Sequence, residues 1–279
     1  MSRLRIVHTS TFRYADPVVA SYNEARMTPL SQPGQTVLET RLDIQPQTWS
    51  HDYRDYWGTQ VTAFEVLAPH RSLVLTAEHV VEVVDRPVAG SGVGWDVLHG
   101  PEVRDRLAEH LADTETTAAP AEVVELARRA VEGLEPHDAA EAVCRALRAE
   151  MEYIPGVTTV HTPAHEAWAS RTGVCQDMAH LALGALRAVG IPARYVSGYL
   201  HPDSSGEIGA TVTGESHAWV EWWTGEWCAY DPTNEVVAGE HHVVLARGRC
   251  YDDVPPLRGI YAGPPTQDSH VQVRITREA

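Results

Sequence analysis

The hydrophobic period of this chain changes from strand-like to helical and back again, and that pattern limits what the chain can fold into. From Leu4 to about Val84 polar and apolar residues alternate and β-branched residues are frequent. The runs LRIVHTSTFRY, TVLETRLDIQP, VTAFEVLAP and SLVLTAEHVVEVV are separated by turn sequences such as SQPGQ and DYWGT. A period of two in short, turn-bounded runs belongs to half-buried strands, so residues 1–85 are expected to form a β-rich, sandwich-like module. Residues 86–100, entered through DRPVAGSGVG, lose the period and read as a linker. From Pro101 to Met151 the spacing becomes helical, in PEVRDRLAEHLAD, PAEVVELARRAVEGL and DAAEAVCRALRAEM. Pro120 stands where a helix opens and Gly133 where one closes. An irregular segment then runs to Cys175, long enough to point to an active-site loop. CQDMAHLALGALRAVG reads as a buried central helix stopped at Gly190, and ARYVSGYL, HAWVEWWT and EWCAYDPT read as strands. The last two form a hairpin across Thr224-Gly225-Glu226. The expected fold class is α+β, with residues 101–279 as a second unit.

Composition narrows the class. With 43% hydrophobic and 22% charged residues the chain is neither disordered nor fibrous. Its 38 acidic against 22 basic residues give a net charge of −16, which disfavours nucleic acid and anionic membrane surfaces as partners. MSRLRIVHTSTFRY holds no apolar run of leader length, and no segment reaches the roughly 20 apolar residues of a membrane span, so the expected location is cytoplasmic. The four cysteines, Cys144, Cys175, Cys228 and Cys250, form no CxxC pair and are expected as free thiols.

Only Cys175 has a local sequence that argues for reactivity. It opens the central helix behind Thr172-Gly173-Val174, where unpaired N–H groups and the positive end of the helix dipole favour a thiolate. A nucleophilic thiol needs a base, and the base needs a carboxylate to orient it and stabilise its cation. A hairpin turn centred on Gly225 sets His217 opposite Thr233, so Asp231 lies two residues along on the same face, a diagonal pair roughly 7–8 Å apart. A slip of one residue would separate them. The helix N-terminus, packed on that sheet, would then present Cys175 to His217.

RTGVCQDMAHLALGALRAVGIPARYVSGYL, ESHAWVEWW and WCAYDPTN, in the order Cys, His, Asp, resemble the transglutaminase-like superfamily, whose core is papain-like. The resemblance continues through YIPGVTTVHTP and DVPPLRGIYAG, and YNEARMTPLSQPGQTVLETRLDIQP looks like the N-terminal region of bacterial members. Two departures stand out: Gly248-Arg249-Cys250-Tyr251 where relatives tend to read GRDY, and Trp57-Gly58-Thr59 in place of an FGN-like turn. The resemblance implies a nucleophile at the start of a central helix packed on an antiparallel sheet, with Cys175 as nucleophile, His217 as general base and acid, and Asp231 as orienting carboxylate. It implies a thiol enzyme acting on amide bonds of proteins or peptides through a thioester acyl-enzyme. An amine acceptor would give transamidation; water would give peptidase or amidase activity. The non-enzymatic alternative is a scaffold that retains the fold.

No cofactor is expected, and no metal. His161 and His165 have HxxxH spacing, but His161-Thr162-Pro163 is a poor helix, and neither HExxH nor paired cysteines accompany them or His241-His242. Asp177, in the first turn of the central helix, is weighed equally as a dipole partner and an active-site group. Trp168, Tyr199, Trp219 and Trp222 are candidate walls of a cleft, with core packing the commoner role for such residues.

Overall fold

A computed structural model describes residues 1–85, 92–201, 207–214 and 216–279. The start of the expected linker, residues 86–91, lies outside the described residues; its end holds a short helix, Trp95–Leu98.

The alternating runs form strands. Thr211–Gly214, Thr266–Arg277, Ser2–Val18, His70–Val83 and Gln35–Gln45 make one antiparallel sheet of five strands, in that spatial order. Leu257–Ala262, Ala20–Ala25, Gln60–Val66 and Ser50–Arg54 make a second sheet of four. Between the two sheets lies a core of Tyr14, Val18, Leu73, Leu75 and Ala77 from the first and Ala25, Phe64 and Val66 from the second, the arrangement of a sandwich.

The expected division of the chain does not follow these sheets. Strands Leu257–Ala262 and Thr266–Arg277, placed by sequence in the second unit, hydrogen-bond to Ala20–Ala25 and Ser2–Val18 respectively. The long first strand also serves two cores: Tyr14 and Val18 enter the sandwich, whereas Leu4 and Ile6 join the core of the second unit with Val273 and Ile275. Alternation identifies a strand but not its partner, and pairing between strands from opposite ends of the chain has no local signal.

In the second unit the helices are Pro101–Arg106, Ala108–Leu111, Ala121–Ala130, Pro136–Ala149, Ala164–Ser170 and Cys175–Ala188. PEVRDRLAEHLAD, helical in spacing, is broken at Leu107, whose φ of −113° and ψ of 22° leave helical geometry. The segment before Cys175 is less irregular than expected, since it contains the helix Ala164–Ser170 and a two-residue parallel bridge that pairs Glu152 with Thr172 and Tyr153 with Gly173. The Cys175–Ala188 helix is buried from Gln176 to Arg187, as expected of a central helix. Gly190, at φ +82°, ends the segment in the left-handed region where glycine is favoured.

That helix packs on an antiparallel sheet of Val236–Val237, Trp227–Asp231, Ser216–Trp223, Ala193–Leu200 and His242–Gly248, in that order. The hairpin register pairs Val220 with Tyr230 and Trp223 with Trp227, the register expected for a turn at Gly225. Ala218, Val220, Trp222 and Tyr230 enter the core with the helix, and strand alternation sets His217, Trp219, Glu221 and Asp231 on the other side of the hairpin. No helix among the described residues is long and apolar enough to cross a membrane.

Candidate active site

The helix that carries Cys175 begins with a side-chain cap. The Asp177 carboxylate accepts the Val174 N–H at 2.8 Å and, on the same oxygen, the Thr158 hydroxyl at 2.7 Å. Gln176 Nε2 donates to the Val160 carbonyl at 2.9 Å. Two consecutive helix residues therefore fasten the 154–162 segment beside Cys175. Burial pushes the Asp177 carboxyl above the ordinary carboxylate range, against the hydrogen bonds it accepts. Its place is that of a cap and a loop anchor.

Cys175 is half-buried, and its thiol lies close enough to His217 to act on the charge of that imidazole. His217 Nε2 meets Asp231 Oδ2 at 2.7 Å, which leaves Nδ1 for the thiol. Burial alone would lower the basicity of this imidazole. The Asp231 hydrogen bond, the neighbouring Cys175 thiol and the charges of both outweigh burial and hold it well above the ordinary histidine range. The three residues singled out from sequence are thus brought together in the order thiol, imidazole, carboxylate.

Asp231 is fully buried and accepts more than one partner. Oδ2 takes His217, Asn234 Nδ2 at 2.7 Å and His242 Nε2 at 3.3 Å; Oδ1 takes the backbone N–H groups of Thr233 at 2.9 Å and Asn234 at 3.2 Å. Burial would raise its pKa, but these donors together hold it far below the ordinary carboxylate range. The Asp-Pro-Thr-Asn turn is what turns these N–H groups back onto the carboxylate.

Sequence reasoning did not assign His242 or Asn234 to this site. His242 opens a strand whose alternation, HHVVLARG, is readable, but nothing local shows that this strand lies beside Ala193–Leu200. His217, Asp231 and His242 are also the group among the described residues whose potential metal-ligand atoms converge, all within 4.8 Å of one another. Each of those atoms is engaged in a hydrogen bond of the same network. His161 and His165 are exposed and are not members of that converging group.

Of the four aromatic candidates, Trp219 reaches the site. Its ring stacks on His217, with centroids 6.2 Å apart and planes 26° apart, and meets His242 edge-on at 5.2 Å. Tyr199 instead bonds to His8 Nδ1 at 2.9 Å, Trp222 Nε1 donates to His137, and Trp168 Nε1 donates to Glu122.

Comparison with known proteins places this geometry. A model of the bacterial transglutaminase-like N-terminal region matches residues 4–82, and a model of the transglutaminase-like superfamily matches residues 124–232, which contain Cys175, His217 and Asp231. The uncharacterized protein ML0607 of Mycobacterium leprae is 46% identical over 279 residues, covering all of both chains. The chain belongs to the transglutaminase-like superfamily. A Cytophaga hutchinsonii crystal structure described as a "Putative Cysteine Protease" has the same fold, with a TM-score of 0.76 at 20% identity over 98% of this chain and 90% of its own. The protein-glutamine gamma-glutamyltransferase of Pseudomonas aeruginosa is 34% identical over 113 residues, 36% of this chain and 17% of that protein. Transglutaminase-like membership accounts for the α+β architecture, with its β-rich N-terminal module and papain-like core.

Proposed function

We propose that this protein is a thiol enzyme that acts on amide bonds of proteins or peptides through a thioester acyl-enzyme. One observation carries the reading: His217 is hydrogen-bonded to a fully buried Asp231 at 2.7 Å, with the Cys175 thiol close enough to act on the same imidazole. A scaffold has no chemical need for a buried carboxylate held ionised behind an imidazole.

The Cys175 sulfur attacks the amide carbonyl carbon, and the carbonyl electron pair moves to oxygen. Backbone N–H groups near the helix start, which a helix leaves without intrahelical acceptors, stabilise that oxyanion. Collapse breaks the C–N bond as the His217 imidazolium gives its proton to the leaving amine, leaving the acyl group on sulfur and a neutral imidazole. His217 then takes a proton from the acceptor as it attacks the thioester, and the thiolate leaves. Asp231 holds the ring and balances its positive charge in both halves. An amine acceptor gives an exchanged amide and water gives an acid. The glutamyltransferase name of the Pseudomonas aeruginosa relative supports glutamine side chains as the first donors to try, with a primary amine as acceptor.

The test is alkylation by iodoacetamide at pH 7, followed at each cysteine by peptide mass spectrometry. Cys144 is fully buried, and burial raises its pKa and that of Cys228. Cys175 is expected to react on the order of 10-fold faster than Cys228, since a free thiol is only a few per cent ionised at that pH, and His217→Ala is expected to remove the advantage. Equal rates at Cys175 and Cys228, untouched by the histidine change, would remove the nucleophile from the mechanism. Adding a glutamine peptide and a primary amine, and comparing ammonia release with amine incorporation, separates transfer from hydrolysis.

A further inference from the structure

The Asp231 carboxylate is shared by two imidazoles, and the second has a defined protonation pattern. The Gly239 N–H donates to His242 Nδ1 at 3.3 Å. A backbone N–H can only donate, so Nδ1 holds a lone pair and the ring hydrogen is on Nε2. That hydrogen points to Asp231 Oδ2, 3.3 Å away, the same oxygen that His217 uses. The His242 ring is itself held. Its own N–H donates to the Gly239 carbonyl at 2.9 Å, its side chain is 6% exposed, and Trp219 packs edge-on against it. The same Trp219 stacks on His217.

We infer that His242 is a positioning residue of the Cys175–His217–Asp231 site, its Nε2–H fixing the Asp231 carboxylate in the rotamer that orients His217. This rests on the catalytic reading given above and adds a fourth group to it. A carboxylate turning about its last bond would carry Oδ2 away from His217. The Thr233 and Asn234 N–H groups restrain Oδ1 from one side, and Asn234 Nδ2 and His242 Nε2 restrain Oδ2 from the other. Asn234 belongs to the turn that carries Asp231, so it moves with the carboxylate. His242 comes from a strand across the sheet and supplies a reference that does not move with the hairpin.

The probe is iodoacetamide on the full-length protein, with the Cys175 alkylation rate read by peptide mass spectrometry for the parent, His217→Ala, Asp231→Ala, His242→Phe and His242→Gln. Phenylalanine keeps the ring against Trp219 and removes the donor; glutamine places an N–H near the Nε2 position. H242F is expected to slow Cys175 about 10-fold, in line with the loss seen when a group that orients a reacting residue is removed. H242Q is expected to recover to within about threefold of the parent, because the donor is restored. On an Asp231→Ala background H242F is expected to add no further loss, as residues acting through one group are not additive. A merely structural role would not be rescued by glutamine and would persist on that background. If H217A and D231A slow Cys175 but H242F does not, or if H242Q is as slow as H242F, the role of His242 is overturned while the catalytic reading stands. If the parent Cys175 reacts no faster than Cys228, the catalytic reading itself has failed. Should H242F not fold, His242→Met removes the same donor with a flexible side chain and is read in the same way.

Discussion

At the residue scale, Gly198 shows how closely the site is built. A Cβ there would lie 2.1 Å from the Val243 carbonyl oxygen and 2.5 Å from the Trp219 ring. The Trp219 ring occupies space that a side chain at position 198 would need, and from there it touches both histidines of the site. Gly198→Ala is expected to destabilise by about 1–3 kcal/mol, the usual cost of overpacking, and to slow Cys175 alkylation by displacing the ring behind His217. Urea unfolding and the alkylation rate together check this; an unchanged alkylation rate in the variant would show that Trp219 does not set the histidine. Asp177 offers a second test. Its removal in Asp177→Ala is expected to cost about 1–2 kcal/mol through the lost cap, whereas Asp177→Asn, which keeps an acceptor for Val174 and Thr158, is expected to stay within about half of that loss.

At the scale of the element, the catalytic sheet is tied by a buried charge cluster. Glu221, 5% exposed, receives Arg247 through two nitrogens at 2.8 and 2.9 Å and Arg194 Nε at 2.7 Å, and the Arg194 guanidinium also lies 3.8 Å over the Trp227 ring. Burial would raise the Glu221 carboxyl, but the two guanidinium groups bring it down to about 2. The cluster joins three strands, since Arg194, Glu221 and Arg247 lie on Ala193–Leu200, Ser216–Trp223 and His242–Gly248. Glu221→Gln is expected to cost about 1–3 kcal/mol, because two half-buried guanidinium groups lose their counter-charge. Replacing all three residues with leucine or methionine is expected to cost far less. Equal urea midpoints for Glu221→Gln and the parent would mean that the cluster is not a stability determinant.

Across the whole molecule, the two chain ends meet in one sheet. Strand Thr266–Arg277 lies between Ser2–Val18 and Thr211–Gly214, so the N-terminal module is completed by the last residues of the chain and tied to the second unit through a shared core. Residues 101–279 made alone are expected to aggregate, since Leu257–Ala262 and Thr266–Arg277 would expose strand edges; a monomeric species with cooperative unfolding would contradict this. Acid stability is set at the same scale. Burial, with the nearby His79 charge, brings His8 down to about 4, and burial brings His79 to about 4 as well, both from an ordinary 6.5. As pH falls below 6.5 the unfolded chain takes up protons that these buried rings refuse, so stability is expected to decline from there to about pH 4. His8→Gln, which keeps a neutral polar group opposite Tyr199, is expected to flatten that decline in urea midpoints measured against pH. An equally steep profile would assign the decline to other groups.

What the sequence determined by itself was local. The change of period separated strands from helices, Gly225 set the hairpin register that puts His217 and Asp231 on one side, and the Thr-Gly-Val run set Cys175 at a helix start; the resemblance to the transglutaminase-like superfamily rested on those same segments. Tertiary structure alone decided which strands pair across the length of the chain, so that residues 257–277 complete the N-terminal sheets. It also decided that His242 comes to lie against Asp231. Register within a hairpin is dictated by one turn and a two-residue alternation, both written in adjacent positions. Pairing between distant strands depends on which apolar faces the whole chain can bury at once, and no short segment carries that information.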